Sequence, residues 1–411
     1  MVNDLVTTET QRTQRLHREE RGREFGNMKR VLLSLIFIVV FAVSTSAQDS
    51  RLFTIEVKGR TGYIDNTGKI VIKPQFEEAW NFSEGLAPVR VDDKWGYIDE
   101  TGKIVIAPQF FQASSFKEGL ACVGAFFKSA PVNGTVGNYG YIDKSGSFVI
   151  KPQFGVAFDF SEGLARIQTE NYKNGYIDKS GRVVFWDDRL NEDFSNERAL
   201  FKTHSNMPDS MTGYMDKTGK TVISPKFSWG ESFSEGVACV SLNSKAGFID
   251  TNGQTAIDFR FAGCRSFSEG LAAVLVGDKW GYIDKSGKLV IEPRFAEAEL
   301  FSDDVAVVRV AEDSKSSKKE ERYKQGDNII SIKAGRYGVV DRNGRMILPP
   351  QFVQIGNFSN GLAWVNLGED FIVHGNTDKW GYINKAGKFV WKSFVDTRYR
   401  AANSSAFNWW N

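Results

Sequence analysis

Short β-branched runs separated by turn residues recur along the chain with a nearly constant phase. Residues 86–110, "LAPVRVDDKWGYIDETGKIVIAPQF", are representative. "APVRV" and "KIVI" have strand composition, and "WGYID" lies between them. The first connection is two residues long, Asp92-Asp93 here and Gly277-Asp278 later, and suits a tight hairpin with positive φ. The second, "IDETGK", places Asp99 at the first turn position and Gly102 at the fourth, the signature of a type I turn closed by a left-handed residue. Each unit therefore reads as a three-stranded meander, ended by the proline of "KPQF", "APQF" or "EPRF". A connector follows, with aromatic spacing such as Phe76 then Phe82, a small residue between them (Ala79), and a closing "FSEGLA".

The unit repeats nine times. "GYID" or a near variant begins at Gly62, Gly96, Gly140, Gly175, Gly213, Gly247, Gly281, Gly338 and Gly381, spaced 34, 44, 35, 38, 34, 34, 57 and 43 residues apart. A 34-residue period also belongs to helical TPR arrays, but glycine and proline interrupt this unit too often for paired helices. The turn glycine stands in every copy, with Asp before it in eight and Asn384 in the ninth. Asp65 and Gly68, Asp99 and Gly102, Asp143 and Gly146, and Asp284 and Gly287 are thus structural turn positions, the carboxylate capping the turn's N–H groups.

Both faces of each meander are apolar. Tyr97 and Ile98 point opposite ways, as do Val105 and the Ile104–Ile106 pair, so each sheet must be covered twice by stacking between neighbours. Phe76, Phe110, Phe154, Phe227, Phe261, Phe295 and Phe352 would then run as a ladder through the stack. The expected fold is all-β, an array of about nine three-stranded meanders. An open β-solenoid or superhelix is favoured over a closed β-propeller. Nine units exceed the usual four to eight blades, a blade usually carries four strands, and the array starts on a first strand ("LFTIEV") and stops on a third.

The unit resembles the bacterial WG-repeat (KWG) family over nearly all of residues 51–394. "KWGYID" at 94–99 and 279–284, "KWGYIN" at 379–384 and "FSEGLA" at 82–87 carry the resemblance. The name-giving tryptophan occurs at Trp95, Trp280 and Trp380 and is replaced in the other copies. The fourth copy lacks the "PQF" segment, reading "VVFWDDRL". The resemblance implies an exported array that binds rather than catalyses, and it supplies no catalytic residues.

The first fifty residues add a compartment. Lys29 and Arg30 precede an uncharged run from Val31 to Val43 and small residues up to Ala47, the layout of a secretory signal peptide. We expect translation to start at Met28, with 1–27 upstream of it or a disordered tail, 28–47 the signal peptide, 48–398 the repeat array and 399–411 a C-terminal tail. The competing reading is a cytoplasmic tail with a signal anchor, although the run is short for a membrane span. The expected location is secreted or periplasmic, with no membrane span in the mature chain. Residues 1–47 hold seven of the 52 basic and five of the 50 acidic residues, leaving 45 of each. That balance excludes the basic excess of a nucleic-acid binder. Cys122, Cys239 and Cys264 make no evident disulfide framework, and Cys122 and Cys239, at equivalent repeat positions, read as small buried hydrophobes.

Candidate chemistry is sparse. The turn acids are isolated rather than gathered as a calcium loop requires. Glu84, Glu162, Glu235 and Glu269 of the "SEG" motifs are repeated, whereas acid–base catalysis needs one asymmetric pair. His17, His204 and His374 lack ligand partners at zinc spacing, and no cofactor is expected. Trp95, Trp280 and Trp380 could stack on sugar rings, together with Trp364 and the Trp409-Trp410 pair. The alternative is that they fill space between repeats, with the neighbouring glycine giving the ring room. Insertions at 124–138, 202–211, 309–335 and 366–378 all separate the first strand from the second, which puts them along one edge of the array. The expected function is a non-enzymatic, exported repeat protein offering an extended surface to a protein partner at the cell envelope. A glycan or cell-wall binder is the alternative, and a hydrolase finds little support.

Overall fold

The computed structural model describes residues 52–125, 138–203, 210–310, 321–325, 328–332, 336–366 and 380–393. All belong to one compact unit, Asp49–Asn411. The segments assigned to the signal peptide and both tails, His204, His374 and most of the insertions lie outside the described residues.

Among those residues the chain forms nine antiparallel sheets in sequence order, at 53–76, 78–110, 112–154, 156–186, 190–227, 229–261, 263–295, 297–352 and 354–392. A separate hairpin, Glu321–Gln325 with Asn328–Ile332, interrupts the eighth. In the second sheet the strands are Glu78–Ala79, Leu86–Val91, Lys94–Asp99 and Ile104–Phe110, here called a, b, c and d. Strand a was absent from the sequence reading. It is two residues long and lies in the connector, around the small residue Ala79, so no strand-length apolar run announces it. Its pairing resumes at Ser83, which bridges Leu86 across the Glu84-Gly85 turn. Eight sheets thus have four strands and the first has three, Phe53–Val57, Arg60–Ile64 and Ile70–Phe76.

Proline does not end strand d, as the sequence suggested. Strand d runs through Pro108 to Phe110, and two of its residues are looped out between the pairs Tyr97↔Ile106 and Trp95↔Phe110. A bulge on an edge strand can hold a residue that donates no ladder hydrogen bond. The glycine of "GYID" serves this bulge rather than the tryptophan ring. A Cβ on Gly96 would lie 2.5 Å from the Ile106 carbonyl oxygen and 2.7 Å from the Pro108 nitrogen.

The sheets pack face to face as blades. Tyr97, Ile106 and Phe110 of the second blade join Ala113, Phe116, Val123 and Ile142 of the third in one cluster. Ile98, on the opposite face, packs with Tyr63, Ile72 and Phe76 of the first. All seven ladder phenylalanines are buried. Full burial of such a side chain contributes about 1.5–3 kcal/mol.

The array closes. At successive interfaces the turn glycine of one blade sits on strand d of the preceding one, Gly102 on Ile72 and Gly146 on Ile106. At the first blade the same contact is made with the ninth, where a Cβ on Gly68 would run into the Val390 carbonyl. The Tyr382 ring packs 5.4 Å from that of Phe53, and its hydroxyl donates to the Thr54 carbonyl at 3.1 Å. The open solenoid or superhelix expected from the sequence is therefore corrected to a nine-bladed β-propeller. Each connector hides a fourth strand, and nine such blades are enough to bring the ninth onto the first.

Candidate functional site

The turn acids are bound up in their own turns. Asp65 Oδ1 accepts from the Thr67 and Lys69 N–H groups at 2.9 and 3.1 Å and from the Thr67 hydroxyl at 2.6 Å. Asp99, Asp143 and Asp284 repeat the arrangement with Thr101, Ser145 and Ser286. In each case the side-chain hydroxyl first, and the N–H groups after it, hold the carboxyl below its usual range. Gly68, Gly102, Gly146 and Gly287 all have positive φ, from 81° to 87°. At Gly102 the backbone is at +86°, which strains any L side chain, and Ile72, 3.1 Å from where a Cβ would be, would have to give way to one.

The repeated "SEG" motif forms a clamp between blades. Ser83 Oγ donates to the Phe116 carbonyl of the next blade at 2.6 Å, and Ser161, Ser195, Ser234 and Ser268 do the same at 2.7–2.8 Å. The Glu84 carboxylate accepts from Gly119 N–H of the next blade at 3.1 Å and pairs with Lys144 in that blade's c–d turn at 3.1 Å. Glu235 repeats this with Gly270 and Lys285, and Glu269 with Asp304 N–H and Arg342. Glu162 accepts from the N–H groups of Asn196 and Glu197 and pairs with Lys217. Burial pushes the Glu118 and Glu235 carboxyls up, but N–H groups and Lys179 or Lys285 outweigh it and hold both below their usual value.

A third tie runs through the c-strand tyrosines. Tyr63, Tyr97, Tyr141, Tyr176, Tyr214 and Tyr282 are fully buried, and each donates its hydroxyl to a carbonyl of the next blade's connector at 2.6–2.8 Å. Burial raises the phenols of Tyr63, Tyr97, Tyr141, Tyr214 and Tyr282.

The three tryptophans are packed to different degrees. Trp95 is 7% exposed and meets Trp80 edge-on at 5.6 Å. Trp280 is partly buried, with the Arg265 guanidinium 5.6 Å from its ring centroid. Trp380, also partly buried, lies 4.8 Å from Trp391. They occupy equivalent positions in three separate blades and do not form one platform. Among the described residues the exposed indoles, at 39–44%, are Trp364, which the sequence also offered, and Trp80, Trp186 and Trp229, while Trp409 and Trp410 lie outside the described residues. Trp80 could have been noticed in the sequence, because later repeats place Glu231, Arg265 and Glu299 at its position.

Trp80 borders the cavity that comes nearest to a small site. It has about 200 Å³, is also lined by Ser114, Cys122, Tyr139, Phe158 and Asp159, and draws on four successive blades. A neighbouring recess of about 420 Å³ holds Arg166, Glu192 and Asp193. The acids there are already matched, Asp159 to Lys117 at 3.1 Å and Asp193 to Arg166 at 2.8 Å. Such a recess can seat a side chain but offers no activated nucleophile. Among the described residues no group of His, Cys, Asp or Glu is placed to hold a metal ion, and no helix is long and apolar enough to cross a membrane.

The cysteine reading is corrected. Cys239 on strand b of the sixth blade is disulfide-bonded to Cys264 on strand a of the seventh, with Cα atoms 6.0 Å apart. Cys122 is the buried free thiol.

The blade topology sorts the connections between two faces. The a–b and c–d turns, which carry the Glu–Lys clamps, share one face, and every b–c connection opens on the other. In four blades strand b ends at Ala125, Lys202, Val310 and Asn366, and strand c resumes at Asn138, Thr212, Arg336 and Trp380. Those intervals contain all four insertions. In the second and sixth blades a two-residue turn suffices, with φ of 50° and 59° at Asp92 and Asp93 and 51° and 61° at Asn243 and Ser244.

Closed blades, interblade ties and a loop-bearing face define a β-propeller built from one repeat. The model of the "WG containing repeat" family matches residues 62–95, 95–124, 139–173, 213–245, 247–280, 280–312 and 337–369, more than half of the chain. The chain belongs to the WG-repeat family. The stretch from Asn174 to Thr212, which holds the short strand d Val183–Trp186 of the fourth blade, is not matched. No curated protein matches the sequence. Among solved structures, the crystal structure of the eukaryotic initiation factor is similar at 12% identity with a TM-score of 0.52, over 83% of this chain and 96% of that one. That likeness speaks to the fold alone. BamB from Moraxella catarrhalis (12% identity, TM-score 0.34, 65% of this chain and 94% of that one) and the WD40 β-propeller domain of Doa1 (12%, 0.28, 56% and 87%) are too distant to carry an argument.

Proposed function

We propose that this protein is an exported, non-enzymatic scaffold that binds a protein partner through the loop-bearing face of the ring. The observation that carries the reading is the confinement of all four insertions to b–c connections, while the opposite face is occupied by the Glu–Lys clamps. Long loops on a rigid frame are where binding residues concentrate. The Cys239–Cys264 bond supports export, since such bonds persist in oxidising compartments. The glycan alternative is less well supported, because Trp95 is packed and Trp280 and Trp380 are only partly accessible.

The test replaces each insertion by a two-residue turn like Asp92-Asp93 and compares crosslinking at the cell envelope. The expected result is an unchanged melting transition with loss of the crosslinked partner. Retention of the partner by the variant lacking all four insertions would sink the proposal. Export is tested separately by sequencing the mature N-terminus, expected at Gln48; a chain beginning before Val31 would refute it.

A further inference from the structure

The fourth blade holds a cation between itself and the fifth. Its Phe158 N–H donates to the Arg166 carbonyl of strand b. The Arg166 guanidinium lies 4.1 Å over the Phe158 ring, and its Nε donates to Asp193 of the fifth blade at 2.8 Å. An aromatic face and a carboxylate from the next blade thus seat one guanidinium, the cation that both stacks and pairs as a fork.

The third blade repeats the frame with one part exchanged. Ser114 N–H donates to the Cys122 carbonyl as Phe158 N–H does to that of Arg166, so Cys122 stands at the position of Arg166. Asp159, which precedes Phe160, corresponds to Asp193, which precedes Phe194. The carboxylate is therefore kept, while a short thiol replaces the guanidinium. At this place lies the recess of about 200 Å³, lined among others by Trp80, Cys122, Tyr139, Phe158, Asp159 and Asp193. Ser114 takes the position of Phe158, and the aromatic walls come instead from Trp80, Tyr139 and Phe158 itself. Later interfaces close on themselves here. Ser232 donates to Glu192, Ser266 to Glu231 and Arg265 to Glu299, each between successive blades. Asp159 is met instead by Lys117, whose side chain is 55% exposed. Such exposed pairs contribute little, and a guanidinium bidentate on the carboxylate can displace the lysine.

We propose that the recess between the third and fourth blades binds an arginine side chain presented by a partner, its guanidinium on Asp159 and its flat face against the aromatic wall. The size agrees, since pockets for drug-sized ligands hold roughly 300–1,000 Å³ and this one suits a side-chain head group. An ammonium would find the same carboxylate but would lose the fork and the stacking. The seat is made by the blades and their connectors, so it stands whether or not the loop-bearing face binds a protein.

The test titrates N-acetyl-L-argininamide into the full chain and follows the Trp80 indole N–H by NMR, with N-acetyl-L-lysinamide as the contrasting probe. A dissociation constant of about 1 mM or tighter is expected for the arginine probe. Binding should be at least about fivefold weaker for the lysine probe, which lacks the planar fork. Asp159→Asn, with an unchanged melting transition, should weaken the arginine probe at least about tenfold by removing the charged acceptor. Equal affinity for the two probes, binding indifferent to Asp159→Asn, or a Trp80 signal that does not move at about 20 mM probe would overturn the proposal. Arg166→Ala gives a second readout by opening the equivalent seat at Asp193. The arginine probe should then also shift the backbone amides of residues 192–195, which line the neighbouring recess, and should leave them unmoved in the unsubstituted protein. If those amides do not respond in Arg166→Ala, the two seats are not equivalent and the proposal fails.

Discussion

Introducing one cysteine, Ala157→Cys, should create a second disulfide between blades. Cys122 and Cys239 hold the same place on strand b of the third and sixth blades, and Ala157 and Cys264 hold the same place on strand a of the blades that follow. Cys239 and Cys264 are bonded with Cα atoms 6.0 Å apart, inside the usual 4.4–6.8 Å range. Cys122 Sγ already lies 3.5 Å from the Ala157 carbonyl oxygen, so the thiol faces that residue. The new bond would close a loop 35 residues long in sequence, for which the chain-entropy relation gives about 4 kcal/mol. Strain would reduce this, and a gain of about 2–4 kcal/mol is expected. Free-thiol titration should fall from one per chain to none, with a mass loss of two hydrogens and a denaturation midpoint that rises only in the oxidised form. Burial raises the Cys122 thiol and slows oxidation at neutral pH, so oxidation should proceed during refolding at pH 8.5. If the thiols remain titratable after refolding in oxidant, equivalent repeat positions do not share one interblade geometry, and the closure argument built on them fails.

Three other expectations concern the interblade ties and the bulge in strand d. Tyr97→Phe should cost about 1–1.5 kcal/mol in a denaturant titration, the worth of one buried hydrogen bond. Phe248 shows the ring is tolerated, since it packs on Phe267 at the 5.0 Å that separates Tyr97 from Phe116; a cost above about 3 kcal/mol would mean the hydroxyl does something else. Gly96→Ala should be worse than any surface substitution, by about 2 kcal/mol or more, because the new methyl meets backbone atoms of Ile106 and Pro108; an unchanged midpoint would refute the bulge contact. Acid should loosen the clamps. The Glu118 and Glu235 carboxyls sit below their usual value in the folded ring, so their contribution is complete above the ordinary carboxylate range and is lost as pH falls through the lowered values. A urea midpoint that stays flat from pH 6 to pH 3 would contradict this, and Glu235→Gln should shallow the slope.

The hairpins were legible because their chemistry is local. Asp99 and Gly102 are three residues apart, and the turn they make depends on nothing outside it. Burial of both faces was legible too, since Tyr97 and Ile98 alternate yet are both apolar. Strand a was not, because Glu78-Ala79 gains its strand character from Val89 and Arg90 opposite rather than from its own composition. The disulfide was hidden for a related reason. Cys239 and Cys264 are 25 residues apart, and the contact between them exists only because strand b of one blade stacks on strand a of the next. The "SEG" glutamates looked like candidate chemistry in isolation and become clamps once Lys144 and Lys285 arrive from the neighbouring blade. Sequence periodicity specifies the unit, whereas the interface depends on the angle between units, which no single unit contains.

That separation explains why the insertions and the ties never compete. Three sets of interblade bonds, from serine, glutamate and tyrosine, use the a–b turns, the c–d turns and the middle of strand c. None uses the b–c connection. A blade can lengthen that connection from two residues to the 25 between Val310 and Arg336 while its strand pairing on both sides stays intact, as Val305↔Asp341 and Tyr337↔Phe352 show. Loop length costs little closure entropy, growing only logarithmically. The face that can vary without loss of stability is therefore the face on which binding specificity can accumulate, and the clamps on the other face hold the frame that presents it.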